Sequence, residues 1–159
     1  MSAKDVIGQV EKVQLPAVGE QVFHARIDTG AKTAAIWASA CQKTEDGLAV
    51  IFFEKDSPFY TGKPVLFTQY DQTIIASATG NNQQRYKVRM KVRIAGRTIT
   101  AWFTRADRSG LVYPVLIGRN VLRGKFIVDV KLGNPLLKLE HQRRLERQAT
   151  VRTNSKAGS

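Results

Sequence analysis

Asp28 opens the tetrapeptide Asp28-Thr29-Gly30-Ala31, directly after a strand-like run at residues 23–27. A carboxylate delivered to a strand end can face a cleft and move protons, which is what hydrolysis by an activated water needs. By itself the tripeptide Asp-Thr-Gly is weak, because Asp before Gly is common in ordinary strand-ending turns. A second segment changes its weight. About ninety residues later an apolar run ends on a glycine, in Val115-Leu116-Ile117-Gly118-Arg119-Asn120. Other nucleophilic and metal chemistries have little material. The chain holds one cysteine, Cys41, and two histidines, His24 and His141, with no H-E-x-x-H or C-x-x-C. Cys41 reads as a plain thiol, and no metal or cofactor is expected.

Short strands must position these residues. Runs rich in β-formers fall at 6–15, 22–27, 49–53, 65–70, 98–104, 111–117 and 126–130, with 34–40 either strand or short helix. Residues 121–124 suit a short helix closed by Gly124, and residues 135–139 could form one further strand. Residues 86–94 alternate strictly: Tyr86, Val88, Met90, Val92 and Ile94 share one face, and Arg85, Lys87, Arg89, Lys91 and Arg93 share the other. Ala95-Gly96-Arg97 turns that strand into the next. Many short strands, Gly-marked turns and no long helical pattern predict an all-β barrel or sandwich. One domain is expected over residues 1–139. Residues 140–159 read as a basic, unstructured tail, preceded at most by a short helix around Glu140 and Arg144.

With both motifs in place, the sequence resembles the retropepsin-like aspartic proteases over roughly residues 6–139. In that family an Asp-Thr-Gly-Ala loop carries the catalytic carboxylate, and an apolar pair followed by Gly-Arg-Asn packs behind it. Residues 26–33, with Leu15-Pro16 upstream and residues 115–121 and 126–129 downstream, are similar, more narrowly, to a bacterial branch that carries the name ATP-dependent zinc protease. The resemblance implies a closed-barrel-like acid-protease fold, one lobe per chain, with Asp28 catalytic. It also implies that Thr29 braces the loop, Gly30 admits close backbone approach and Ala31 leaves room for a substrate strand. Gly118, Arg119 and Asn120 would be structural support. Only Asp28 is followed by Thr-Gly, so one chain supplies half of a carboxylate pair that shares a proton, and a two-fold homodimer supplies the rest. A substrate-covering flap is expected over residues 74–85, its tip at Ser77, Ala78, Thr79, Gly80 and Asn81. Viral members carry an acid where Lys32 stands here, and that acid pairs with the arginine equivalent to Arg119. A different acid is therefore expected to serve Arg119, with Asp107 and Asp129 as candidates. The words zinc and ATP gain nothing from this sequence, which has neither a ligand set nor a phosphate-binding loop.

Charge bounds the partners. In 159 residues, 25 Lys+Arg against 13 Asp+Glu give +12. Residues 1–139 hold 20 basic and 11 acidic residues, so +9 belongs to the expected domain. From Gln72 to Ala106 there are seven cations and no acid. The plain reading of that strand face is a solvated surface that resists edge aggregation. The sharper reading is an acidic partner, either nucleic acid or ribosome, or a glutamate-rich peptide. Some members of the resembled branch occur beside a ligase that adds glutamates to a ribosomal protein. Nucleic-acid motifs are lacking, and Tyr86 alone interleaves the cations. No run reaches the ~20 apolar residues of a membrane span and no secretory signal is visible, so a cytoplasmic setting is expected. The expected function is an aspartic endopeptidase acting on an extended peptide or protein. The alternative is a non-catalytic basic module on the same scaffold that binds an acidic partner.

Overall fold

The computed structural model of the chain describes residues 3–76, 80, 82–106, 112–133 and 137–157. Eleven strands and two helices occur among them. They run β1 (Asp5–Ile7), β2 (Val10–Gln14), β3 (Val22–Ile27), β4 (Ala34–Thr44), β5 (Gly47–Phe52) and β6 (Val65–Phe67). There follow β7 (Tyr70–Ala76), β8 (Asn82–Ile94), β9 (Arg97–Ala106), β10 (Val115–Ile117), α1 (Arg119–Leu122), β11 (Phe126–Val128) and α2 (Leu137–Ala157). Six strands close into a ring in the order β10-β3-β2-β8-β9-β4, with β4 returning to β10. Closure removes the free edges that an open sheet exposes. The chain is thus an all-β, retropepsin-like barrel. β5 and β6 extend the sheet from β4, and β7 forms a hairpin with β8.

The alternation of residues 86–94 is realised in β8. Val88, Met90, Val92 and Ile94 are buried, whereas Arg85, Arg89, Lys91 and Arg93 are exposed. Those four apolar side chains join Leu15, Phe23, Phe103, Val115 and Ile117 in one core. An aromatic group belongs to this core, with ring centroids of Phe23 and Phe59 4.8 Å apart and those of Phe23 and Phe53 5.4 Å apart. Each fully buried side chain of this size contributes roughly 1.5–3 kcal/mol by burial.

Three sequence expectations differ from the fold. The run 6–15 is two strands, because Gly8 lies where any Cβ would sit 2.5 Å from the Leu132 carbonyl oxygen. The chain steps there from a two-stranded parallel sheet, β1 on β11, into the barrel. Residues 137–139, part of a run that could have been a strand, begin α2 instead. The segment 140–159, expected as an unstructured tail, is helical as far as Ala157. Its residues are mostly good helix formers, and no Gly or Pro interrupts it. Arg143 pairs with Glu146 at i,i+3, which adds a few tenths of a kcal/mol, roughly, on an exposed helix. No helix among the described residues is long and apolar enough to cross a membrane.

Candidate active site

β3 carries Asp28 to the rim of the barrel, held from both sides. Ile27 N–H donates to the Gln9 carbonyl (2.8 Å) and Asp28 N–H to the Ile117 carbonyl (2.9 Å). The second bond exists because β10 lies parallel to β3, with Leu116 opposite Arg26 and Ile117 opposite Ile27. β10 also pairs with β4 on its other side, through Val115–Ile36 and Leu116–Ala35. Three strands, β3, β10 and β4, thereby clamp the loop of residues 28–33 at both of its ends.

The loop then curls under its own carboxylate. Oδ1 of Asp28 accepts the Gly30 N–H at 2.9 Å, and the Asp28 carbonyl accepts the Ala31 N–H at 3.3 Å. Asp28 is half-buried, while Thr29 and Gly30 are exposed and Ala31 is half-buried. The next four carbonyls are all met by two residues of the second motif. Arg119 Nη1 donates to Thr29 O (3.2 Å) and Gly30 O (2.9 Å). Arg119 N–H donates to Ala31 O (2.8 Å), and Asn120 N–H to Lys32 O (3.1 Å). Loops usually leave such groups to water. Here a segment some ninety residues away supplies the donors.

Asn120 ties the barrel to this loop. Its Oδ1 accepts the Ala34 N–H and its Nδ2 donates to the Trp102 carbonyl, both at 2.8 Å. One side chain thus bridges β4 and β9 beside the carboxylate. Replacing Asn120 by Ala leaves a part-buried donor and acceptor unpaired, so a loss of about 1–3 kcal/mol is expected in chemical denaturation. Asn120→Asp should be at least as damaging, because it sets a carboxylate oxygen against the Trp102 carbonyl. Unchanged stability in both variants would show that the bridge contributes nothing.

Among the described residues the Arg119 guanidinium meets loop carbonyls, and Asp129, one of the two expected acids, does not pair with it. Asp129 Oδ1 instead accepts the Lys131 N–H within its own turn, and Asp107 lies outside the described residues. Lys32 is exposed.

The β7–β8 hairpin stands where a flap was expected, registered from Tyr70–Val88 to Ala76–Asn82. Of the expected tip, Gly80 has φ +82°, a conformation suited to glycine. Ser77, Ala78, Thr79 and Asn81 lie outside the described residues. The basic stripe runs along the outer face of β8. Lys87 differs from its neighbours, being half-buried, 3.7 Å from Asp71 and 5.2 Å from the centre of the Trp102 ring. Sequence reading did not find the parts played by Trp102 and Gln9, since backbone carbonyls leave no residue-type signal.

Cys41 is half-buried, and burial raises its thiol pKa against the opposing pull of Arg105. Such a thiol is a poor nucleophile at neutral pH. Among the described residues no three His, Cys, Asp or Glu side chains gather closely enough to hold a metal. A zinc site, which the name of the resembled branch would imply, therefore has no fitting donor set among these residues.

A closed barrel with an Asp-Thr-Gly loop braced by a distant Gly-Arg-Asn segment defines a retropepsin-like protein. Residues 6–134 match the family model described as RimB-like, retropepsin-like aspartic endopeptidase RimB, and the chain belongs to that family. Curated relatives include a probable alpha-L-glutamate ligase of Desulfotalea psychrophila, 28% identical over 134 residues. That alignment covers 82% of this chain and 29% of the relative. A protein of the same name from Parasynechococcus marenigrum is 25% identical over 158 residues, covering 96% of this chain and 34% of the relative. The chain thus spans about a third of the length of the curated relatives it matches. Among solved structures, a Legionella pneumophila protein of unknown function shares the fold. Its TM-score is 0.54 at 19% identity, covering 84% of this chain and 98% of that one.

Proposed function

We propose that this chain is an aspartic-type endopeptidase, active as a homodimer and working in the cytoplasm on glutamate-bearing peptides or protein tails. The observation that carries the peptidase reading is the braced loop. Five consecutive carbonyls, Asp28 to Lys32, are hydrogen-bonded within the chain, so the half-buried carboxylate is held in a fixed place. Preorganised placement of this kind is what a proton-transferring group needs. The chain offers one such loop, so the second carboxylate comes from a symmetry mate across a two-fold axis. The pair activates a water, one carboxyl taking its proton while the other donates to the substrate carbonyl oxygen. Substrate lies extended beneath the β7–β8 hairpin, bound as an added strand.

Two features support an acidic substrate. The relatives named as probable glutamate ligases contain this region within longer chains, which associates it with glutamate-bearing products. The exposed Arg85, Arg89, Lys91 and Arg93 on β8 would attract such a chain and speed its encounter. The same stripe favours the second reading, a basic module that holds an acidic tail without cutting it.

Concentration dependence tests the homodimer. Specific activity should rise in step with the dimer fraction seen in sedimentation velocity, and a cleaving monomer would overturn the proposal. A peptide with a glutamate tail should be cut faster than its glutamine counterpart, with the difference shrinking as salt screens the charges. If changing Arg89, Lys91 and Arg93 to Ser leaves that preference intact, the stripe does not select the substrate. Binding of the tail without turnover at any dimer concentration would favour the module.

A further inference from the structure

Helix α2 has no place in the peptidase reading. It follows the region matched by the family model, and its described side chains, Lys138 and residues 141–152, are all exposed. At about 1.5 Å per residue its 21 residues span roughly 30 Å. A helix gains little from tertiary packing along a stretch whose side chains are all exposed, so residues 141–152 are not there to complete a core.

Its charge is organised. Residues 137–157 hold six Lys+Arg against two Glu. Arg144, Arg147, Gln148, Val151 and Arg152 line one continuous strip of surface, at the i, i+3, i+4, i+7 and i+8 spacing of a single helix face. The described large apolar residues do not form a stripe. Leu145 is 52% and Val151 66% exposed, and they stand six positions apart, well separated around the axis. A groove-binding peptide helix and a membrane-surface helix both require a continuous apolar face, and the described side chains of α2 form none.

From this arrangement we propose that α2 is an RNA-binding arm whose arginine strip tracks the phosphate backbone. Three guanidiniums fall within about 12 Å of helix axis, the distance of eight residues. Each has a planar fork that matches a phosphate bidentately, which the ammonium of lysine does not. Gln148 sits among them, and its amide both donates and accepts, as does a ribose 2′-hydroxyl, the group that distinguishes RNA from DNA. Contacts of this sort are independent of base sequence and release counterions, so they are steeply salt-dependent. The strip lies on a different element from the β8 stripe, and the proposal stands whether or not the chain cleaves peptides.

The test uses the full chain with a 20-base-pair RNA duplex, its DNA counterpart and poly-glutamate, each followed by fluorescence anisotropy across a salt series. The expected result is RNA binding that weakens as salt rises and is tighter than binding to DNA. Joint replacement of Arg144, Arg147 and Arg152 by Gln, which keeps helix propensity, should weaken RNA binding at least tenfold. It should also flatten the salt slope by about 2–3, roughly one per lost phosphate contact. Replacing Arg89, Lys91 and Arg93 by Gln should leave RNA affinity within twofold. Unchanged binding by the α2 variant, loss of binding by the β8 variant alone, equal affinity for RNA and DNA, or preference of α2 for poly-glutamate would each overturn the assignment. Circular dichroism of the α2 variant, showing unchanged helix content, separates lost contacts from a lost helix.

Discussion

Replacing Asp28 with Asn is expected to abolish peptide hydrolysis while leaving the fold intact. The substitution is nearly isosteric, and the amide oxygen still accepts the Gly30 N–H that Oδ1 accepts now. The loop therefore keeps its shape, with its carbonyls still held by Arg119 and Asn120. What disappears is the ability to take up and release a proton. General acid–base groups contribute about 10²–10⁴-fold to rate, so kcat should fall by at least about that factor. Thermal unfolding of the variant should superimpose on that of the parent. Mixing the two proteins sharpens the test. If each active site needs one Asp28 from each subunit, equal mixing leaves about a quarter of the dimers with two intact carboxylates, and activity should fall to about that fraction. A fall to one half would mean that each subunit works alone. Cleavage that persists in the fully substituted protein would remove Asp28 from the chemistry.

The second large effect is expected at Gly118, a residue with no functional atoms to offer. A Cβ there would lie 2.7 Å from the Thr33 carbonyl carbon and 2.9 Å from the carbonyl oxygens of Ala31 and Thr33. These are backbone atoms of the Asp28 loop, held on both flanks by strands, so they cannot yield as the tip of a flexible side chain can. Gly118→Ala must either push the loop away or break the bonds from Arg119 and Asn120. Overpacking of this kind costs about 3 kcal/mol, which for a domain of this size lowers the melting midpoint by roughly 6–12 °C. Any peptidase activity should fall with it, since the displaced atoms border the carboxylate. Gly124→Ala is the control. Gly124 has φ +76° but open space around it, so the penalty there is only that of a left-handed backbone, about 1 kcal/mol. Equal losses at the two positions would show that close approach at Gly118 is not what matters.

The two predictions differ in how far they could be read from the chain. The Asp28 prediction begins in a local motif. A run of β-formers followed by Asp-Thr-Gly is visible without a structure, because strand propensity and turn chemistry act over a few residues. The two faces of residues 86–94 were equally legible, since a strand with one buried side must alternate. The Gly118 prediction has no local source. Glycine after an apolar run reads as an ordinary turn until β10 is placed between β3 and β4. Only then do Ala31 and Thr33 come within reach. The partner of Arg119 shows the same limit. Charge logic sought an acid for it, and could not foresee that its guanidinium donates to carbonyl oxygens of a loop 89–90 residues distant in sequence.

Residue types and spacing by themselves determined the all-β class, the carboxylate loop, the second motif and the net positive charge, for each follows from local propensity or simple counting. Ring closure through β10, the break at Gly8, the bridge made by Asn120 and the helix in place of a tail were decided by the tertiary structure. The first three depend on backbone groups, which every residue carries and which leave no mark in residue identity. They become specific only when distant strands are brought within hydrogen-bonding distance. The helix α2 is a different case. Its propensities were present in the sequence, but its polar, largely basic composition concealed them.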